Sequence, residues 1–189
     1  MEWSWTESDK NWQTVTSLGL TMTNYSGISH PSEPNYAAFW GGDFFGLNSD
    51  SYFTINATNL GDLLEYSGKT WKSYQENYVP LPGGKCNTNM GIGPGDKFGQ
   101  GTQLYQRKHN PPMLYSNIGL NDTRCLEHIV GLDSFIYDVI NGNMPDVSYY
   151  TPNIVNDGHD DDQWGDVRTT SSGRQPIKLY INTLVCVKQ

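Results

Sequence analysis

His30-Pro31-Ser32-Glu33-Pro34-Asn35-Tyr36-Ala37-Ala38-Phe39-Trp40-Gly41-Gly42 runs from a polar loop into an apolar stretch and stops on two glycines. The segment reads as a short helix. Proline fits the first helical turn, where its absent N–H is not missed, and glycine closes a helix readily at its C-terminal end. Ser32, one residue before Glu33 and two before Pro34, is expected at the N-cap. It would then lie among unpaired backbone N–H groups at the positive end of a helix, a place that favours an anion such as phosphate. Taken alone, a serine here needs to do no more than cap the helix.

Upstream, Trp12, Val15 and Leu18 have helical spacing and Gly19 is placed to end that helix. Leu20 and Met22 alternate with Thr21 and Thr23, as in a short strand running toward the Ser32 loop. Strand, loop and helix in that order are how an open α/β sheet sets a site at the carboxyl ends of its strands. Downstream, Asn59 is expected to cap a helix carrying Leu60, Leu63 and Leu64 on one face, ended by Gly68, with a strand over Thr70–Tyr74. Residues 77 to 124 are rich in Gly, Pro, Asn and Lys without sustained periodicity, and read as a long surface excursion serving a site. Asp133 is expected to cap a third helix bearing Phe135, Ile136, Val139 and Ile140, with Gly142 just beyond it. Val147–Thr151 reads as a strand cut by Pro152, the stretch after it as an acidic loop, and Ile177–Val187 as a terminal strand. This succession predicts a three-layer α/β/α domain, with residues 1–189 forming a single domain.

The chain has 189 residues, enough for one domain with a real core. Its formal charge of −8, from 20 acidic and 12 basic residues, argues against nucleic acid as a partner. A phosphate ester meets the same repulsion, so its charge must be answered locally, by a metal ion, by helix N–H groups, or by the cationic run Arg107, Lys108, His109. Twelve tyrosines and six tryptophans supply apolar area that a hydrophobic fraction of 36% would otherwise leave short. No apolar run reaches the length of a membrane span, and the first residues, MEWSWTESDKNW, lack the cationic and apolar regions of a signal peptide.

Three separated runs carry more information than any of these features: HPSEPNY at 30–36, KHNPP at 108–112, and MPDVSYYTPNIVNDGHDDD at 144–162. Together with NLGDLLEYSGKTWKSYQEN at 59–77 they stand in the order found in a phosphoesterase family that includes secreted acid phosphatases, and the chain resembles that family from about Gly19 to Asp162. The family is related to bacterial phospholipases C and belongs to the alkaline phosphatase superfamily. The resemblance implies an alkaline phosphatase-like α/β/α fold, a small phosphate ester as substrate, and a serine nucleophile that passes through a phosphoserine. Carried onto this chain, it makes Ser32 the nucleophile and has Asn35 help to hold the phosphoryl oxygens. His109 and His159 match histidines that contact the phosphate, and imidazole suits both anion binding and proton delivery. Asn35 has a second reading, as a local cap on its own backbone. His109 can equally be a surface histidine before a Pro-Pro turn, and the acidic run around His159 a solvated loop. His128 is expected only to pack.

The resemblance also implies a divalent metal ion, held in relatives by a Glu-Asn pair after an N-terminal strand and an acidic pair after a late strand. Neither pair stands in this sequence, which leaves Ser32 and Asp157 as weak metal candidates and implies a domain incomplete at both ends. Cys86 and Cys125 flank the substrate loop expected from the family, so they are the first choice for a disulfide, buried free thiols being the alternative. Asn24, Asn56 and Asn121 head glycosylation sequons, which with the resemblance suggest an extracellular or secretory location. Three functions follow: a phosphomonoesterase of the acid phosphatase kind, an inactive relative that binds phosphate or a partner, and a phospholipase C-like phosphodiesterase. A non-enzymatic, aromatic-rich sugar-binding module is the outside reading.

Overall fold

The computed structural model describes residues 10–22, 26–92, 103–154, 156–157 and 184–187. At the centre of these lies a four-stranded sheet in the order β4 (Ile129–Val130), β1 (Trp71–Gln75), β5 (Val147–Thr151), β6 (Leu184–Val187). β1 runs parallel to both of its neighbours, with Trp71 opposite Val147 and Gln75 opposite Thr151, and β6 closes the edge antiparallel to β5. Strands buried on both faces are what a parallel sheet needs, because its crossovers place helices over it.

The two faces of β1 take different helices. Trp71 points toward α2 (Ser32–Gly41), where its ring lies 5.2 Å from that of Trp40, and Tyr149 of β5 meets Phe39 and Trp40 from the same side. Tyr74 and Tyr150 point the other way, onto Phe135 of α6 (Leu132–Asn141), and Tyr74 donates its hydroxyl to Asp138 at 2.7 Å. Helix, sheet and helix therefore stack as the sequence leads one to expect of an α/β domain. α6 begins after Gly131, so Asp133 lies inside its first turn and is not its cap. The outer apolar residues of α6, Ile136, Val139 and Ile140, are exposed.

α3 (Leu60–Tyr66) forms as its sequence directs. Asn59 accepts from the Gly61 N–H and Asp62 reaches back to the Asn59 N–H, a reciprocal cap on the helix start. The Asn59 oxygen also accepts from the indole of Trp40, which ties this cap to the core. α1 (Lys10–Ser17) is present, but among the described residues no strand follows it: Leu18, Leu20 and Met22 are exposed, and an alternating apolar pattern makes a strand only where a partner edge exists.

The stretch 77–124 is the largest correction to the sequence reading. Far from lying on the surface, it supplies Tyr78, Cys86, Tyr105, Met113, Leu114, Tyr115 and Ile118 to the core. It builds the hairpin of β2 (Gly91–Ile92) and β3 (Tyr105–Gln106), two 3-10 turns over Arg107–His109 and Pro111–Leu114, and the short helices α4 (Ser116–Gly119) and α5 (Asp122–His128). Its elements are too short to show a period, so burial here is carried by single large side chains. A disulfide joins Cys86 to Cys125 across 39 positions and closes this segment on itself. His128 packs as expected, stacked on Trp71 at 4.0 Å with Nδ1 against the Trp71 carbonyl.

Candidate functional site

Ser32 opens α2, but one place later than its cap. Pro31 holds the N-cap position and contributes no side-chain bond, so Ser32 is the first helical residue, half-buried. With Pro31 offering no side-chain acceptor, the N–H of Glu33, second residue of the helix, donates to Asp50 Oδ1 at 2.9 Å. A carboxylate from a distant loop thus sits where the sequence places a phosphate, and answers the same positive helix end. Partial burial pulls the Asp50 carboxyl upward, but the Lys108 ammonium and the Glu33 N–H outweigh it and hold the pKa below its ordinary value.

Asn35 does what its second reading describes. Its Oδ1 accepts from the N–H groups of Ile28 and Ser29 at 2.8 and 3.1 Å, and its Nδ2 donates to the carbonyls of Ser29 and Pro31 at 2.8 and 3.0 Å. The amide therefore clamps the loop in which Ser32 is presented. Both of its ends are committed to backbone.

The Arg107–His109 turn is anchored on the carboxyl ends of β1 and β5. The hydroxyl of Thr151 donates to the His109 carbonyl at 3.2 Å, Gln75 donates to Thr151, and Ser73 donates to Asn110 at 3.1 Å. These bonds fix the turn at the strand ends, where open parallel sheets hold their ligands. The turn is not a free cationic cluster, as its composition suggests. Arg107 is buried against Glu33, Lys108 pairs with Asp50 at 2.8 Å, and His109 Nδ1 lies 3.4 Å from Asp157 Oδ2. Lys108 and His109 each face a carboxylate within hydrogen-bond range or close to it, whereas Arg107 stands 3.8 Å from Glu33, where burial pushes the carboxyl up to about 7.

His109 is 4% exposed, which sets aside the surface reading. Its ring centroid lies 5.4 Å from that of Tyr36, one helical turn beyond Ser32. Burial, with Asp157 and Asp50 close by, pushes the Tyr36 phenol up to about 12, so it stays protonated. Asp157 follows the end of β5 in a loop fastened by Glu76, which accepts from the Asn153 N–H and from the Asn156 side chain at 2.9 Å. An aspartate so held fixes the orientation of its histidine's ring.

The start of α2, the 107–109 turn and the loop after β5 thus converge, although 30 to 36, 107 to 109 and 157 are far apart in the chain. Ser32, Asn35, His109 and Asp157 belong to this cluster or border it; His159 and the acidic residues after it, like Asn24, lie outside the described residues. Sequence reasoning missed Asp50, which carries no motif signal, and Glu33 and Tyr36, which stand inside the quoted motif without being assigned a part. Among the described residues no group of three or more His, Cys, Asp or Glu side chains is arranged to hold a metal ion. The donors described do not fit the divalent ion that the resemblance implies, with Asp157 turned to His109 and Asp50 to Lys108.

The model of the Phosphoesterase family matches residues 3–183. The chain belongs to that family. Among the curated phosphoesterase relatives, a probable acid phosphatase of Kluyveromyces lactis is 40% identical over 156 residues, covering 80% of this chain and 35% of that protein. An acid phosphatase of Aspergillus fumigatus is 38% identical over 81% of this chain and 33% of its own length. A phosphatidylinositol-3-phosphatase of Mycobacterium tuberculosis is 28% identical over 75% of this chain and 42% of its own. The chain spans about a third of the length of the acid phosphatases it matches. No solved structure matches it. No helix among the described residues is long and apolar enough to cross a membrane.

Proposed function

We propose that this chain carries the phosphoryl-binding part of an acid phosphatase-type hydrolase, with Ser32 as its nucleophile. The observation behind the reading is the cluster in which Asp157 orients His109 beside the helix that Ser32 begins. The Ser32 oxygen attacks phosphorus, the bond from phosphorus to the ester oxygen breaks, and the serine proton passes to a base. His109, oriented by Asp157, serves as the general acid that donates a proton to the departing oxygen. Water then attacks the phosphoserine, inorganic phosphate leaves and the hydroxyl is restored. His159 is the second imidazole proposed to meet the phosphate.

Hydrolysis of p-nitrophenyl phosphate by the wild-type chain, abolished in Ser32→Ala, is the test, with acid-quenched mass spectrometry locating the phosphoserine. Turnover unchanged in Ser32→Ala removes the serine from the mechanism. A second reading, phosphate binding without turnover, is favoured by the prior pairing of Arg107, Lys108 and His109 with carboxylates. It expects stabilisation by inorganic phosphate and no release of nitrophenol. The names of the relatives allow a soluble ester or a lipid headgroup as substrate, and a phosphodiester in the manner of phospholipase C is the third possibility.

We further place the protein in a secretory route. The Cys86–Cys125 disulfide and the exposed sequon residues Asn56 and Asn121 support this. Asn121 caps α5 through its oxygen, which leaves its nitrogen as the glycan acceptor. Digestion of the protein from its natural host with an endoglycosidase is expected to lower its mass; an unchanged mass contradicts the glycoprotein reading.

A further inference from the structure

Glu33 follows Ser32 directly, and Arg107 stands two residues before His109. Both side chains are buried, with Arg107 Nη1 3.8 Å from Glu33 Oε1. Among the described residues neither carboxylate oxygen of Glu33 finds a hydrogen-bond partner, nor do Nε and Nη1 of Arg107. The rest of the guanidinium is locked: Nη2 donates to the carbonyls of Phe53 and Met113 at 2.7 and 3.0 Å, and the group lies over the Tyr52 ring at 4.1 Å. A buried ion pair without mutual hydrogen bonds is a poor source of stability, since removing two charges from water costs about as much as their attraction returns. What the pair does fix is a distance. It spans from the first turn of α2 to the turn that carries Lys108 and His109, and the Glu33 N–H reaches the same turn again through Asp50 and Lys108.

We propose that Glu33 and Arg107 are a positioning pair that holds His109 in register with the Ser32 end of α2, so that the two can meet one phosphoryl group. The inference rests on the phosphatase reading for its purpose, but its geometric content stands apart from turnover. Neither residue touches substrate. Each acts through its neighbour, Glu33 through Ser32 and Arg107 through His109.

The test compares the wild-type chain with Glu33→Gln, Arg107→Met and the double variant Glu33→Leu/Arg107→Met. Each single change leaves one buried group unpaired and is expected to lower the melting temperature, whereas the double change removes both charges and restores it close to wild type. Two readouts follow in the folded double variant. The His109 ring resonances, displaced in the wild type by Tyr36 and bearing the proton on Nδ1 toward Asp157, are expected to move to the positions of a solvated histidine. The orthovanadate concentration that half-saturates its thermal stabilisation is expected to rise at least about tenfold, since a misplacement of about 1 Å between reacting groups can cost about a hundredfold. A double variant that melts like the wild type and keeps the His109 signals overturns the proposal. Wild-type protein with the His109 signature but no response to vanadate instead refutes the phosphatase reading, and the ring signals alone then decide the positioning role. Should the double variant not fold, the near-isosteric Glu33→Gln is judged by the same two readouts.

Discussion

Opening the Cys86–Cys125 bridge is the perturbation whose size follows most directly from the fold. The bridge closes a loop across 39 positions, and the chain-entropy relation for a loop of that length gives about 4 kcal/mol of stabilisation at 25 °C. Inside the loop lie Tyr105, Met113, Leu114, Tyr115 and Ile118 of the core, and the Arg107–His109 turn, so the bridge restrains the half of the site opposite Ser32. Both sulfurs are buried in the core, with the Tyr78 hydroxyl 3.5 Å from Cys125 Sγ, so their removal adds a packing loss to that of the cross-link. Urea unfolding of Cys86→Ala/Cys125→Ala should therefore show the midpoint falling by about 2 M, taking a denaturant slope of about 2 kcal/mol per molar. The slope should itself rise, because an unbridged chain exposes more surface when it unfolds. Each single variant should lose nearly what the double loses, since either substitution breaks the same link. Losses that add, or a total below about 1 kcal/mol, would place the stabilisation in the packing of the thiols and refute the cross-link argument.

Two further predictions concern the frame around the site. A methyl group at Gly41 would collide with the hydroxyl of Tyr115, which is fully buried and donates to the Ala37 carbonyl at 2.8 Å. The ring carbons Cζ and Cε1 stand in the way as well, so Gly41→Ala is expected to cost about 1 to 3 kcal/mol in urea unfolding and much less when introduced into Tyr115→Leu; equal loss in both backgrounds would rule out the collision. Asp146 accepts from the Thr70 N–H and hydroxyl and pairs with Lys69, and the backbone bond above all holds its carboxyl down at about 2. Because the folded value is depressed, this contribution is complete above the ordinary carboxylate range and is lost as the pH falls from about 3.8 toward 2. Acid titration of stability should be flatter for Asp146→Asn across that window, and an identical acid limb would contradict the assignment.

What the sequence made legible was local or came with a motif. The reciprocal cap at Asn59 and Asp62, the left-handed stops at Gly42 and Gly142, and the strands over Trp71–Gln75 and Val147–Thr151 all follow from short-range chemistry. The alternation of Leu20 and Met22 misled because period alone carries no knowledge of a pairing edge. Residues 77–124 misled for the opposite reason: their core contribution comes from isolated large side chains and a disulfide, with elements too short to repeat. At the site, Ser32, His109 and Asp157 were named from the resemblance, but their partners were not. Asp50 is a lone aspartate in a polar loop, and only the tertiary fold brings it to the Glu33 N–H and to Lys108. His109 and Asp157 pair across the chain, a contact that the reading of Asp157 as a metal candidate did not anticipate.

The central claim is that Ser32 and His109 serve one phosphoryl group. A crystal structure of the chain grown with orthovanadate tests it most directly. The account predicts vanadate bonded to Ser32 Oγ and within hydrogen-bonding reach of the His109 ring; vanadate seated away from both, with the Ser32 hydroxyl turned from the imidazole, would contradict it.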